Sequence, residues 1–371
     1  MRIVIVALAL LIATSCSAPA SNAPLPTVTA SVTAVASPPT TPPPSASPSP
    51  LISPSTATQL VLTDVTMSAA AGPLFLFQVI GDDRLRAVSW DGARNGVVGA
   101  RISVPWTQSP DGSRYATGGT VYEADGRAVG AVPWGAESFR WQPDGRALCA
   151  AVPLTRETAS AMTLATAVPG GPVHVVASGF TPFSDNAGYP VLACDPKSDR
   201  AIVGQFGQGL YAGRMFVFRL STGELIRSAD LGQGLPATSW VAASTDGALT
   251  AESRSTTMTG VSTTVVRRAD DGAALATIEG LEARGFSGDG KMLYGFAGNG
   301  RRRLEVLEWK TQRVVWLADG YQYNAFHAEP AGSIVAVPTG FDAPLTQVQL
   351  YLVLPDGTSK ILTHVNGGTG F

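Results

Sequence analysis

Short apolar stretches alternate with polar turns through most of this chain, from about residue 60 to the C-terminus. Segments such as "MFVFRLSTGELI" (215–226) and "LEVLEWKTQRVVWL" (304–317) place alternating apolar residues on both sides of a short polar turn. A period of two predicts half-buried β-strands joined as hairpins. After residue 60, no segment has the longer period of an amphipathic helix of ordinary length. The pattern therefore predicts an all-β domain over residues 60–371.

One turn sequence recurs within this domain. It reads "SPDG" at 109–112, "QPDG" at 142–145, "STDG" at 244–247 and "SGDG" at 287–290, with degenerate copies at 195–198 and 329–332. Proline fixes φ and glycine accepts positive φ, so these residues predict tight turns. The copies are 33 to 53 residues apart, and spacings near 40 residues indicate repeated β units. Each unit has an apolar strand before the turn, another after it, and then a hairpin, which gives four strands.

The repeat resembles the β-propeller families, especially the TolB-like and YVTN-like type with "SPDG" and "STG" turns, over about residues 58–371. WD40 proteins are similar in repeat length, but their Trp-Asp pair does not recur here. The resemblance implies a propeller of four-stranded blades, and it implies that the turn aspartates are structural. The final stretch "GGTGF" (367–371) resembles the strand "EARGF" (282–286). We therefore expect seven blades, with six or eight left open, and closure by pairing of the N- and C-terminal strands.

The N-terminus "MRIVIVALALLIATSC" has one early cation, Arg2, and an apolar run from Ile3 to Ile12 that is too short to span a bilayer as a stable helix. It resembles a bacterial lipoprotein signal, which implies removal of residues 1–15 and lipidation of Cys16. The alternative is ordinary cleavage near "SAPA" (17–20) and release as a free protein. The first interpretation predicts an exported protein, anchored by lipid to the extracytoplasmic side of a membrane and in contact with that membrane only through its anchor.

Residues 16–59 predict a disordered stalk. From Ser17 to Gln59 the chain has no charged and no aromatic residue, and its centre reads "SPPTTPPPSASPSP" (37–50). Such a composition cannot bury apolar surface against itself and favours an extended backbone.

Composition excludes several functions. Apolar residues make up 45% of the chain and charged residues 15%, with a formal charge of −2, which argues against nucleic-acid binding. The three histidines are far apart, so a zinc site is not expected, and neither a nucleophile elbow nor a P-loop occurs. Three acidic residues are predicted near the ends of the inner strands, namely Glu137, Glu282 and Asp185. They are not expected to come together as a calcium site. We therefore predict no catalytic residue, no metal and no cofactor.

Cys149 and Cys194 form a possible disulfide. If Cys16 carries lipid, these two cysteines remain in an oxidising compartment, near the same end of consecutive repeats. Two separate buried thiols are the alternative.

Aromatic residues are concentrated in the connections predicted on the face opposite the recurring turns. Rings on such a face suit a peptide or a sugar, although they could equally cap the cores between blades. The favoured function is a non-catalytic binding or scaffolding module, monomeric, for an envelope protein, a peptide or a glycan. The alternative is an extracytoplasmic propeller enzyme, a hydrolase, lyase or quinoprotein-type dehydrogenase, with its site at the propeller axis. The candidate ligand-binding residues are Trp134, Phe180, Phe183, Tyr189, Trp240, Tyr321 and Tyr323.

Overall fold

The computed structural model of the protein describes residues 58–67, 73–79, 84–101, 106–134, 139–153, 161–180, 191–204, 213–232, 238–255, 262–297, 303–319, 325–328, 332–337, 349–363 and 369–370. Its regular elements are β-strands. None of the described residues belongs to a helix with the length and hydropathy needed to cross a bilayer. Cys16 and the rest of the predicted signal and stalk up to residue 57 lie outside the described residues, as do Phe183, Tyr189, Tyr321 and Tyr323.

The strands follow the apolar stretches of the sequence. In chain order they are β1 (Thr58–Val61), β2 (Leu74–Val79), β3 (Arg84–Ser89), β4 (Asn95–Arg101), β5 (Trp106–Gln108), β6 (Arg114–Thr117), β7 (Thr120–Glu123), β8 (Ala128–Ala131), β9 (Phe139–Trp141), β10 (Leu148–Pro153), β11 (Met162–Ala167), β12 (Val173–Phe180), β13 (Val191–Asp195), β14 (Arg200–Gly204), β15 (Gly213–Arg219), β16 (Leu225–Gly232), β17 (Thr238–Ala243), β18 (Leu249–Ser255), β19 (Ser262–Arg268), β20 (Ala274–Glu279), β21 (Leu281–Phe286), β22 (Met292–Ala297), β23 (Arg303–Glu308), β24 (Arg313–Asp319), β25 (Ala325–Ala328), β26 (Ile334–Val337), β27 (Gln349–Val353), β28 (Ser359–Thr363) and β29 (Thr369–Gly370).

The described strands form the sheets of a β-propeller. Six sheets have four strands each, in the orders β29-β2-β3-β4, β5-β6-β7-β8, β12-β11-β10-β9, β13-β14-β15-β16, β17-β18-β19-β20 and β21-β22-β23-β24. We number these sheets 1 to 6. A further sheet, sheet 7, has five strands in the order β1-β28-β27-β26-β25. Within sheets 2 to 6 the strands are antiparallel and follow chain order, as expected for units built from consecutive hairpins.

The expectation of seven four-stranded units is therefore corrected, because six of the sheets formed by the described strands have four strands. The fifth strand of sheet 7 is β1, whose residues 58–61 pair in parallel with residues 360–363 of β28. Thr58 and Gln59, which the sequence assigned to the stalk, belong to this strand. The composition of Thr58 and Gln59 does not predict this strand, because a short edge strand needs backbone pairing and little apolar surface of its own.

The cores lie between neighbouring sheets. Between sheets 3 and 4, for example, Leu164 and Phe180 of one sheet pack with Val203 and Phe216 of the other. A comparable cluster joins Phe75, Phe77 and Trp90 of sheet 1 to Leu352 of sheet 7. Each sheet thus buries apolar side chains on both faces, which explains why strands such as β22 are buried at every position.

The N-terminal segment crosses the junction between sheets 7 and 1. After β1, residues 62–67 run beside β4, where the Met67 N–H donates to the Val97 carbonyl (2.7 Å) and the Val97 N–H to the Val65 carbonyl (2.9 Å). The side chain of Arg86, almost fully buried, donates to the Asp64 carboxylate at 2.7 Å. At the other end of the chain, β29 pairs with β2 through two residue pairs. Both termini of the described domain therefore contact sheet 1.

The recurring turns share one set of hydrogen bonds. In the turn at 287–290, the Ser287 hydroxyl donates to the Asp289 carboxylate (2.7 Å) and accepts the Met292 N–H (2.9 Å), while the same carboxylate accepts the Lys291 N–H (3.1 Å). Equivalent bonds form at Ser89, Ser109 and Ser244. The carboxylate of each of these aspartates thus forms its hydrogen bonds within its own turn. The turn at Ser89 follows the third strand of its sheet, and the sequence pattern did not identify it as a copy.

Candidate functional site

A cavity of about 470 Å³ lies between the first strands of sheets 2 to 6. Residues of β5, β9, β13, β17 and β21 line it, which places it on the axis of the propeller. Its volume lies in the range of small-molecule sites, about 300–1,000 Å³. We call it the axial cavity. Its lining has polar and apolar surface in nearly equal parts, and the aromatic residues along it include Phe139, Trp141, Trp240 and Phe286.

Arg140 is the cation in the middle of β9. Its neighbours Phe139 and Trp141 are buried, whereas Arg140 itself is exposed and lines the cavity. Its exposed surface therefore faces the cavity, and desolvation by the surrounding protein lowers the pKa of the guanidinium. Among the described residues, none gives Arg140 a hydrogen bond or a carboxylate partner. The axial cavity therefore contains one cation that the described chain leaves uncompensated.

Tyr294 reaches the cavity from β22, the second strand of sheet 6. It pairs with Gly285 of β21, and a Cβ atom at residue 285 would overlap the Tyr294 Oη and Cζ atoms. Because Gly285 has no side chain, the tyrosine can lie across the first strand and line the cavity. Burial raises the pKa of Tyr294 to about 12, an effect that the charge of Arg140 partly opposes. The hydroxyl is therefore neutral near pH 7 and can donate a hydrogen bond.

Arg284 is held differently from Arg140. Its guanidinium carbon lies 4.0 Å from the centre of the Trp240 ring and 4.7 Å from that of Phe296. One of its nitrogens is 2.7 Å from the carboxylate of Glu282, a side chain that is almost fully buried. The charge of Arg284 is thus compensated by an ion pair, and its position is fixed between two rings. Glu282, an acidic candidate from the sequence, is accounted for by this pair.

The structure separates the predicted aromatic residues. Trp134 is buried with Val132, Phe139 and Trp141, and Phe180 is buried against Phe216 and Phe218 at centroid distances of 5.2 and 5.1 Å. Both rings fill cores between sheets, because a large apolar side chain beside a strand end gains more from packing than from exposure. Trp240 lies inside β17 instead of in a connection, and it lines the axial cavity.

Cys149 and Cys194 are joined by a disulfide, with Cα atoms 6.4 Å apart. The bond links the second strand of sheet 3 to the first strand of sheet 4, and Cys194 is part of the cavity lining. The side-chain amide of the buried Gln142 lies 3.6 Å from the Cys149 sulfur. The disulfide therefore fixes two neighbouring sheets beside the cavity.

Sequence reasoning missed Arg140, Arg284 and Tyr294. A signal was present, because the predicted first strands "ESFRW" (137–141) and "EARGF" (282–286) each carry an arginine between apolar residues. Tyr294 had no such signal, since its position depends on Gly285 in another strand. In the described part of the chain, no group of three or more His, Cys, Asp or Glu residues is arranged to hold a metal ion.

No protein-family model matches the chain, and no curated protein sequence is significantly similar to it. The fold is similar to that of an oligogalacturonate lyase solved in complex with manganese, with a TM-score of 0.50, 12% identity, and coverage of 78% of this chain and 87% of the lyase. TolB from Acinetobacter baumannii has a TM-score of 0.42 at 12% identity, covering 85% and 96% of the two chains. The Cps50 (Swd1) β-propeller domain from Myceliophteria thermophila has a TM-score of 0.42 at 14% identity, covering 78% and 95%. Likeness at this level of identity concerns the fold alone, and the chain is an all-β propeller.

Proposed function

We propose that the protein is a non-catalytic binding module whose binding site is the axial cavity. The observation that carries the proposal is the lining itself, in which rings and ordered polar groups surround about 470 Å³ of space. Concave sites of this size, with aromatic side chains and a few placed polar groups, are the usual form of a small-molecule site. The ligand is a peptide or glycan, or a segment of an envelope protein that inserts into the cavity.

We propose the same cellular setting that the N-terminal sequence predicts. In this proposal Cys16 carries lipid, residues 1–15 are removed, and the Pro-rich stalk holds a monomeric propeller away from the membrane. The contacts between sheets 7 and 1 and the β29–β2 pairing support a further proposal, that the termini close the ring. A closed ring presents no open sheet edge at this junction.

The first test is thermal unfolding of the purified full chain with a panel of peptides, mono- and oligosaccharides, metal ions and quinone cofactors. A ligand that binds only the folded state stabilises it by about 2.7 kcal/mol at 100 times its dissociation constant. We expect saturable stabilisation by a peptide or a sugar, and its loss in Trp240→Ala, which removes a ring from the cavity wall.

Leu225→Ala is the matched control, because Leu225 is an exposed apolar residue at the start of β16 and is not among the residues that line the cavity. If a ligand stabilises the Trp240→Ala variant as much as the wild type, this result would contradict the proposal that the ligand binds in the axial cavity. Stabilisation by a metal ion or a quinone, without a peptide or sugar, would favour the alternative of an axial enzyme.

A further inference from the structure

We propose that the axial cavity recognises a carboxylate, which is bound by the Arg140 guanidinium while the rest of the ligand packs against the ring of Trp240. The inference rests on the proposed function and specifies the chemical class of its ligand. It follows from the charges, the hydrogen-bond donors and the size of the cavity.

The charge balance of the cavity favours an anion. The titratable side chains in its lining are Arg140, Arg284 and Tyr294, and the described lining includes no Asp, Glu or His. Glu282 compensates Arg284 at 2.7 Å, whereas no described acidic residue compensates Arg140. A charge removed from water is costly unless an opposite charge accompanies it. A bound anion would provide that opposite charge.

The geometry of the donors favours a carboxylate in particular. A guanidinium presents parallel N–H groups that match the two oxygens of a carboxylate. Tyr294 adds a neutral hydroxyl, and it lies close enough to Arg140 for each group to affect the pKa of the other. The two groups belong to sheets 3 and 6, so they approach the axis from separate sheets.

The rest of the lining indicates the body of the ligand. Phe139 and Trp141 flank Arg140 on the same strand, and Trp240 is held in place by the guanidinium of Arg284. The rings of Phe139 and Trp141 are buried in the core between sheets 2 and 3, so the flat apolar surface at the cavity wall comes from the partly exposed ring of Trp240. A cavity of about 470 Å³ accommodates a small molecule, so the carboxylate belongs to a compound of the size of an acylated amino acid or a sugar acid. These two sources share the chemistry that Arg140 recognises.

The test compares acids with matched neutral compounds, using isothermal titration calorimetry on the full chain in low-chloride buffer. The probes are N-acetylglycine against N-acetylglycinamide, and glucuronate against glucose. We expect at least one acid to bind about 10 to 100 times more tightly than its neutral partner, the range given by one charged hydrogen-bonded contact. Whichever pair shows the preference identifies the source of the carboxylate.

The variant Arg140→Met removes the guanidinium and keeps an unbranched side chain. It should lower the affinity for the acid to that of the neutral compound, and Arg140→Lys should recover part of the difference because it restores the charge without the paired N–H groups. The control is Arg146→Met, which makes the same change of charge at an exposed position in a turn outside the cavity lining. It should leave binding unchanged.

Protein folding is checked separately. Without ligand, Arg140→Met should unfold at the same temperature as the wild type or higher, because it removes a desolvated charge. The proposal is overturned if acids and neutral compounds bind equally well, or if Arg140→Met retains the preference. If neutral compounds then bind and Trp240→Ala abolishes this binding, the proposed binding function remains supported. Only the preference for a carboxylate is overturned. Absence of binding by every acid would overturn the carboxylate proposal, whereas the binding function is overturned only if the wider panel of peptides and sugars also gives no stabilisation.

Discussion

Gly285 determines where the Tyr294 side chain can lie. The two residues are paired on neighbouring strands of sheet 6, and the tyrosine ring occupies the space that a side chain at residue 285 would fill. The backbone of Gly285 does not have positive φ, so the reason for glycine at this position is space. A neighbour without a side chain gives a residue of the second strand access to the axis.

The substitution Gly285→Ala tests this relation. The new methyl group would overlap the tyrosine ring, and overpacking of this kind costs about 1–3 kcal/mol of unfolding free energy. Urea denaturation measures the loss. In a double-mutant cycle with Tyr294→Ala, which empties the space, most of the cost of Gly285→Ala should disappear. If the two changes are additive, the ring and the glycine are not coupled.

At the level of single residues, the sequence predicts more of the cores than of the cavity. Trp134 and Phe180 could be recognised as large rings near strand ends, but strand alternation does not distinguish a ring that packs between sheets from one that faces solvent. Arg140 can be recognised as a candidate site residue only after the first strands are known to face a cavity. Tyr294 could not be predicted, because its exposure to the cavity depends on a residue of another strand.

The recurring turn is the element that the sequence predicts best. Its serine and aspartate bond to each other and to the backbone within five residues, as at Ser287 and Asp289. All these interactions are local, so the sequence motif contains nearly all the information that forms the turn. The pairing of β1 with β28 lies at the other extreme, because it joins residues about 300 positions apart through the backbone.

Replacing Ser287 with alanine should cost about 1–3 kcal/mol of unfolding free energy. Its hydroxyl is fully buried, and removing it leaves the Met292 N–H without its acceptor. Ser221→Ala is the control, since the Ser221 hydroxyl also bonds to a carboxylate, that of Asp199 (2.8 Å), but is exposed and can be replaced by water. Equal losses for the two variants in urea denaturation would show that burial of the turn serine adds nothing.

For the whole molecule, the junctions between sheets determine stability. Each sheet buries side chains against its neighbours, and the disulfide adds a covalent bond at the junction of sheets 3 and 4. The sequence favoured neither a bridge nor two thiols, because the spacing of the cysteines does not fix the distance between neighbouring sheets. That distance depends on how the side chains of the whole core pack.

Removing the bridge by the double substitution Cys149→Ala and Cys194→Ala should lower the unfolding free energy by up to about 4 kcal/mol, the chain-entropy value for a sequence separation of 45 residues. The midpoint of urea denaturation measures the change. A reducing agent should produce a similar shift in the wild type and none in the double variant. An unchanged midpoint in both experiments would mean that the two cysteines are not bonded in solution.

The N-terminal segment also determines which contacts of the propeller bear a mechanical force that is applied at the N-terminus. A pull transmitted through the residues before Thr58 acts first on the parallel pairing of β1 with β28, and next on the contacts of residues 62–67 with Asn95 and Arg86. None of these residues lines the axial cavity. Traction on a tethered molecule would therefore load the outer rim at one junction, while the walls of the axial cavity keep their shape.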